Sequence, residues 1–342
     1  MHTCRIYLWL TLLISLVSCT KENRNISSPA KGGEPPFYFP APVYNFDLSA
    51  KGDSRFELGR KLFFDTRLSF DSSISCASCH KPAGAFSDPG NDVSKGIYGR
   101  LGVRNAPALY NLAWKPAMMW DGGIIHLEFQ PLAPITDPKE MAVDLADLID
   151  RLNLDQEYRK LFERAFDSPE ITSQMVFLSF ARYLSALISS GSAYDHYIQG
   201  NASALTGEEL QGLKIFRQHC ESCHREPLFS DFSFRNNGIE ALSTDSGRVR
   251  ITLQPQDRFK FLVPSLRNVG FSAPYMHDGR FNSLDDVINH YASHENYHPG
   301  SDTDLPREYL SSQDKEALKA FLLSLNDYTF VNNPSFGNPD FQ

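Results

Sequence analysis

Apolar residues recur at helical spacing in several long stretches of the chain, separated by polar segments punctuated with Gly and Pro. VDLADLIDRLNLDQEYRKLFERAF, residues 143–166, has the period of an amphipathic helix. TSQMVFLSFARYLSALISS, residues 172–190, is apolar nearly all round and predicts a buried helix. SSQDKEALKAFLLSLND, residues 311–327, predicts a final amphipathic helix. LGRKLFFDTRLS (58–69) and LQGLKIFRQ (210–218) are also helical in spacing, and each is expected to end in the cysteine motif that follows it. Residues 191–209 are rich in Gly and Ser and read as a hinge, with Thr206 as a helix N-cap and Glu209 three positions on. Alternation of period two is scarce. RVRITL, 248–253, is a candidate short strand, but no sheet organises the chain. The expected fold is mainly α, with long loops and few short strands.

The N-terminus has a different pattern. Arg5 precedes IYLWLTLLISLV, residues 6–17, which is too short to cross a bilayer that needs roughly 20 residues. Its length suits the apolar core of a signal peptide, and it runs into LVSC, 16–19, which resembles a bacterial lipobox. On that reading residues 1–19 are a lipoprotein signal peptide and Cys19 becomes the lipidated first residue; cleavage near Ser18 with Cys19 a bystander is the alternative. Residues 20–50 then form a flexible tether, and the protein is exported to the periplasmic side of a bacterial membrane, inner or outer. The remaining chain has room for two domains, and 42% hydrophobic with 12% aromatic residues is the composition of a soluble globular protein. A net charge of -8 without any long basic run argues against nucleic acid as a partner. Membrane contact is expected only through the lipid.

Six cysteines narrow the chemistry. Cys4 leaves with the signal peptide and Cys19 belongs to the lipobox, so Cys76, Cys79, Cys220 and Cys223 remain, in CASCH (76–80) and CESCH (220–224). C-x-x-C-H is the attachment signature of c-type haem: two thiols reach the two vinyl groups, and the adjacent His comes up beneath the iron. A disulfide, a redox pair or a zinc site shared by both pairs would use the same thiols, but none of them needs a His after each pair. Cys76, Cys79 and His80 are thus read as holding haem one, and Cys220, Cys223 and His224 as holding haem two.

The chain also repeats itself around these motifs. PAMMWDGG (116–123) returns as APYMHDGR (273–280), and NAPALYN (105–111) is echoed by VPSLRN (263–268). Pro107 to Trp120 and Pro264 to His277 are both 13 residues, and Asn111 matches Asn268 in the same register. Two related haem domains follow: an N-terminal one at 51–204 and a C-terminal one at 205–342, with Trp120 and His277 in equivalent places. A single electron carrier needs one haem, whereas two can supply the two electrons that peroxide reduction takes. Such an enzyme needs an open iron, an acid–base group beside it and a path between the haems.

At this point the sequence resembles the bacterial dihaem cytochrome c peroxidase family, which includes MauG. The likeness runs from about residue 50 to 326 and rests on LGRKLFFDTRLSFDSSISCASCH (58–80), MWDGG (119–123), QPLAPITDPKEM (130–141) and FLVPSLRNVGFSAPYMHDG (261–279). It implies that Glu140 is the distal acid–base group over haem one, with Gln130 lining the same pocket, and that Trp120 relays electrons between the haems. It also implies a calcium ion between the domains, held by Asn105 through its side chain and by Ser272 and Pro274 through their carbonyls. Taken alone, Glu140 would read as a solvated carboxylate on a DPKE turn and the calcium residues as ordinary loop positions.

Two departures from the family pattern matter. Its typical members carry a His on the loop after the first motif that caps haem one until half-reduction, but residues 81–104 contain neither His nor Met. His126, the nearest, lies beyond Trp120, so haem one is expected to be open at all times. Typical members also have a Met 14 residues after the position of His277, where this chain has Tyr291; MauG likewise uses Tyr there. His290, His294 and Met276 compete with Tyr291 as distal ligand of haem two, and Tyr291 could instead be a packing residue. The expected function is a peroxidase that reduces hydrogen peroxide with electrons from a small cytochrome c or cupredoxin. A MauG-like oxidase acting on a protein side chain is the alternative, and a non-enzymatic dihaem electron-transfer protein the second alternative. A homodimer is left open.

Overall fold

The computed structural model describes residues 34–341 apart from Phe46, Leu48, 240–244, 294–299 and 307–308. The signal peptide, Cys19, most of the tether and His294 lie outside the described residues.

Helix α1 (Ala50–Phe64) begins at Ser49, whose hydroxyl accepts the Gly52 N–H, and buries Phe56, Leu58, Leu62 and Phe63. These side chains pack against α4 (Ser173–Ala186), which is buried along most of its length, as its all-round apolar pattern requires. Between them come α2 (Leu145–Leu154) and α3 (Gln156–Phe166). The single period over 143–166 is therefore two helices. Asp155 ends the first and caps the second, its carboxylate accepting the N–H groups of Glu157 and Tyr158.

The second half repeats the arrangement. α5 (Gly207–His219) opens with a capping box of Thr206 and Glu209 and packs against α7 (Ser312–Leu323), beside α6 (Leu284–Ser293). Both crossings pass through a glycine. A Cβ on Gly59 would stand 2.0 Å from the Ser179 carbonyl oxygen, and one on Gly212 would stand 1.9 Å from that of Ala317. Gly59-x-x-x-Phe63 and Gly212-x-x-x-Phe216 thus do the same work. The glycine lets two helix backbones touch, and the Phe one turn on enters the core, against Tyr183 at 5.2 Å in one half and Phe321 at 5.2 Å in the other.

Two main cores result. The first gathers residues from 56 to 187 and takes in Phe330 and Phe336 from the C-terminal tail; the second gathers residues from 194 to 325. The only sheet among the described residues is one antiparallel pair, β1 (Phe234–Arg235) and β2 (Phe261–Leu262). Among those residues no helix is long and apolar enough to cross a membrane.

Three local expectations change. The segment read as a hinge holds a helix, Ala193–Ile198, in which buried Asp195 makes a two-pronged ion pair of 2.8 Å with buried Arg267 and accepts the Tyr38 hydroxyl. RVRITL is not a strand, because Val249–Thr252 is one turn of helix. The first cysteine motif does not end α1, since an intervening loop leads to a separate short helix, Cys76–Cys79; the second does follow directly from α5.

Candidate functional site

Both C-x-x-C-H motifs fold into the same local device. In the first, the Ser75 N–H donates to Ser78 Oγ at the start of the short helix, and the His80 N–H donates to the Cys76 carbonyl at 2.9 Å. The ring then turns so that Nδ1 lies 2.9 Å from the Phe86 carbonyl. In the second, the His224 N–H donates to the Cys220 carbonyl at 2.9 Å, and Nδ1 lies 3.1 Å from the carbonyls of Phe229 and Pro264. A carbonyl only accepts, so Nδ1 carries the proton in each ring and Nε2 keeps the lone pair that binds a metal. Burial lowers both histidines below their ordinary range, which keeps them neutral and ligating. Phe86 and Phe229 both adopt left-handed backbone, with φ of 60° and 54°, presenting their carbonyls to the rings.

All four cysteines are unpaired thiols, and among the described residues no cluster of three or more His, Cys, Asp or Glu is arranged to hold a metal ion. Burial, with the neighbouring thiol second, pushes Cys76 and Cys220 up to about 12. A redox-active pair needs a depressed thiol instead. The redox reading therefore finds no support, while the thiols and a neutral His in each motif fit covalent haem.

A cavity of about 270 Å³ lies where the halves meet. Cys220, Cys223, His224, Tyr291, Met276 and Asn237 are on its wall, with apolar side chains such as Leu266, Ile288 and Leu318. His290 is not part of that wall; its Nε2 lies 3.0 Å from the Asn237 carbonyl. Tyr291 is pushed up to about 12 by burial, and Asn237 Nδ2 donates to its oxygen at 3.2 Å.

Trp120 and His277 also line this cavity, as do Asn105, Ser272 and Pro274. Asn105 links the repeats: its N–H donates to the His277 carbonyl at 2.7 Å, and its carbonyl accepts the Trp120 indole N–H at 2.8 Å. Its side-chain amide donates to the carbonyls of Asn91 and Asp92. The two phrases share their bridges and their left-handed positions. Met118 bridges Ile124 as Tyr275 bridges Phe281, Asn111 and Asn268 are both left-handed, and so are Met119 and Met276.

Glu140 lies on the loop read as the peroxide pocket. Its N–H donates to the Asp137 carbonyl at 2.9 Å and its carbonyl accepts the Ile97 N–H at 3.0 Å. The loop after the first cysteine motif thus buttresses it, helped by Arg100, which donates to the Pro138 carbonyl at 2.7 Å. Burial, then the charge of Asp137, raise Glu140 to about 7. Its charge in turn acts on Cys76 and Cys79, which puts the carboxylate within electrostatic reach of the first motif. Gln130 is half-buried two residues before the helix Leu132–Thr136, its N–H bonded to the Leu127 carbonyl. His126 is exposed and meets Phe129 edge-on at 6.1 Å.

Three further residues belong to the site. Phe261 stacks on His277 at 3.7 Å. Lys115 lines the cavity, and burial lowers it to about 8; its place is that of Ser272 in the repeat, which was the available signal. Asn237 touches Tyr291, Met276 and His290 at once, and nothing in its sequence context marks it.

Residues 53–203 match the description of the di-haem cytochrome c peroxidase family. The chain is 34% identical to the methylamine utilization protein MauG of Methylophilus methylotrophus, over 93% of this chain and 95% of that protein. It is 35% identical to the cytochrome-c peroxidase IdrP2 of Denitromonas iodatirespirans, over 79% and 81%. The crystal structure of a MauG-like protein associated with microbial copper homeostasis shares the fold, with a TM-score of 0.82 and 31% identity over 90% of this chain and 98% of that one. With both attachment motifs intact, the chain belongs to the di-haem cytochrome c peroxidase family and carries two c-type haems.

Proposed function

We propose that this protein reduces hydrogen peroxide to water with electrons from a small redox protein, a cytochrome c or a cupredoxin. The observation that carries the reading is Glu140, raised to about 7 by burial and acting electrostatically on the first attachment motif. A carboxyl group that titrates near neutrality can both take and return a proton at working pH. The haems, when bound, supply the electrons and the iron at which peroxide reacts. Glu140 moves the proton between the two peroxide oxygens, Gln130 orients the substrate in the same pocket, and Trp120 lies on the path between the haems. In this division 51–204 is the peroxidatic domain and 205–342 the electron-transfer domain. His80 and His224 are the proximal ligands and Tyr291 the distal ligand of the second haem, a choice supported by its place on the cavity wall and by the engagement of His290 elsewhere. A calcium ion would draw on Asn105, Ser272 and Pro274; oxygen donors suit it, and the three residues share one cavity wall. Export and anchoring through Cys19 rest on the sequence of residues 1–36.

A second reading is favoured by one feature: Tyr291 in place of the usual Met supports a MauG-like oxidation of a protein side chain. Steady-state turnover of hydrogen peroxide with reduced cytochrome c tests between them. Sustained turnover supports the peroxidase. Reaction with peroxide but no turnover with any small donor supports the protein oxidase.

A further inference from the structure

Asn237 sits just after β1, where the chain passes over the end of α6. From that point it makes three contacts with the candidate ligands of haem two. Its side-chain Nδ2 donates to Tyr291 Oη at 3.2 Å and approaches Met276 Sδ at 3.5 Å, while its backbone carbonyl lies 3.0 Å from His290 Nε2. The loop is itself pinned. Asn236 Oδ1 accepts the Gly238 N–H at 3.0 Å, and the Asn236 carbonyl accepts the Asp302 N–H at 2.8 Å. Asn237 is on the cavity wall beside Tyr291 and Met276, and His290 is not.

We propose that Asn237 is a positioning residue that selects Tyr291 as the distal ligand of haem two and sets that haem's reduction potential. The proposal rests on the reading of Tyr291 as the ligand. Two separate parts of one residue act. The backbone carbonyl engages the histidine nitrogen that would otherwise compete for iron. The side-chain amide donates a hydrogen bond to the tyrosine oxygen, which fixes the ring and draws electron density from it. A tyrosine oxygen that gives less density to iron disfavours the ferrous state less, so the amide holds the potential up. Without it the oxygen donates more strongly and the potential falls. Substitution of the side chain leaves the backbone carbonyl in place, so the two effects are separable.

The test uses the full haem-loaded protein. Spectroelectrochemical titration and low-temperature EPR are run on the parent, Asn237→Ala, Asn237→Asp and Asn237→Gln. In Asn237→Ala the low-spin ferric signal of haem two should persist with altered g-values, and its midpoint potential should move negative while that of haem one stays put. Asn237→Asp, which offers an acceptor where the donor was, should move it further in the same direction. Asn237→Gln, which keeps a donor, should recover part of the shift. A merely structural role would move both haems or neither. Tyr291→Phe separates this proposal from the reading beneath it. If Tyr291→Phe abolishes the parental low-spin signal but Asn237→Ala and Asn237→Asp shift nothing, the proposal about Asn237 is overturned and the Tyr291 reading stands. If Tyr291→Phe leaves the low-spin signal unchanged, or the parent shows a bis-histidine signature, both fall together.

Discussion

Trp120 and His277, which hold the same position in the two repeats, meet edge to face with ring centroids 6.4 Å apart. Asn105 binds the pair through its own peptide groups, accepting from the Trp120 indole and donating to the His277 carbonyl. The repeated phrase therefore closes on itself at the junction of the halves, and one copy supplies the indole that stands beside the cavity lined by the second attachment motif.

Trp120→Phe removes the indole N–H while keeping an aromatic ring. Leaving the carbonyl of buried Asn105 without this donor should cost about 1–3 kcal/mol of stability. If Trp120 relays electrons, equilibration between the haems after flash or stopped-flow reduction should slow far more than that structural loss explains, with both haem spectra unchanged. An unaltered inter-haem rate would make Trp120 a packing residue.

Covalent attachment is checked by intact-protein mass. Cys76, Cys79, Cys220 and Cys223 should each carry a thioether, so the mass should exceed that of the processed polypeptide by two haem groups. One haem, or a metal instead, would undo the reading of both halves.

For Glu140, the sign follows from the direction of its shift. Burial raises the carboxyl from 4.5 to about 7, so it is protonated below that pH and ionised above it. Taking a proton from peroxide needs the ionised form, and kcat/KM for peroxide should rise with pH through about 7. Stability should run the other way. Between 4.5 and 7 the folded state holds more protons at this site than the unfolded chain, so this group's contribution declines as pH rises. Glu140→Gln should abolish the pH step and slow the reaction by roughly 10²–10⁴-fold with the haem spectra nearly intact. Turnover within about threefold of the parent would make Glu140 a surface carboxylate.

What could be read from the sequence was whatever local spacing encodes. Pro107 to Trp120 and Pro264 to His277 share a register because a turn and its flanking loop fix it, and the structure reproduces that register down to the left-handed Asn111 and Asn268. The Thr206 cap was legible because both of its partners lie within one helical turn. Asp195 was not, because its partner Arg267 is 72 residues away and turns a Gly/Ser-rich stretch into a pinned helix. RVRITL alternates like a strand, yet its arginines serve other ends: Arg248 lies over the Phe234 ring at 3.6 Å and Arg250 pairs with Asp121 at 3.1 Å. The contacts of Asn237 depend on a loop meeting a helix more than 50 residues on, and no local pattern records that.

Gly212→Ala tests the crossing of α5 and α7. The added methyl would meet the Ala317 carbonyl at 1.9 Å, and this is backbone that cannot swing aside. Overpacking of a well-filled core typically costs about 1–3 kcal/mol, and the variant's Tm should fall accordingly. Gly59→Ala should do the same in the other half, against Ser179. An alanine tolerated without loss at either site would mean that the helices can separate freely there.

The two departures from the family pattern bear on the resting state of both irons. Residues 81–104 contain no His or Met, and in the structure that loop turns its backbone to Glu140, with Gly96 against Lys139 and the Ile97 N–H on the Glu140 carbonyl. A segment spent on buttressing the acid–base loop offers neither of the family's capping ligands to the first iron, and its one tyrosine, Tyr98, is exposed. His126 does not replace the missing cap, being exposed against Phe129. The fully oxidised protein should therefore show one high-spin and one low-spin ferric haem by EPR, and peroxide added to it should change the spectrum at once, without prior half-reduction. Tyr291→Phe should move or convert the low-spin signal, and Tyr291→His should restore a low-spin site of different character. Two low-spin ferric haems, inert to peroxide until an electron arrives, would require a capping residue other than a His or Met of that loop and would return this protein to the reductively activated pattern of typical members.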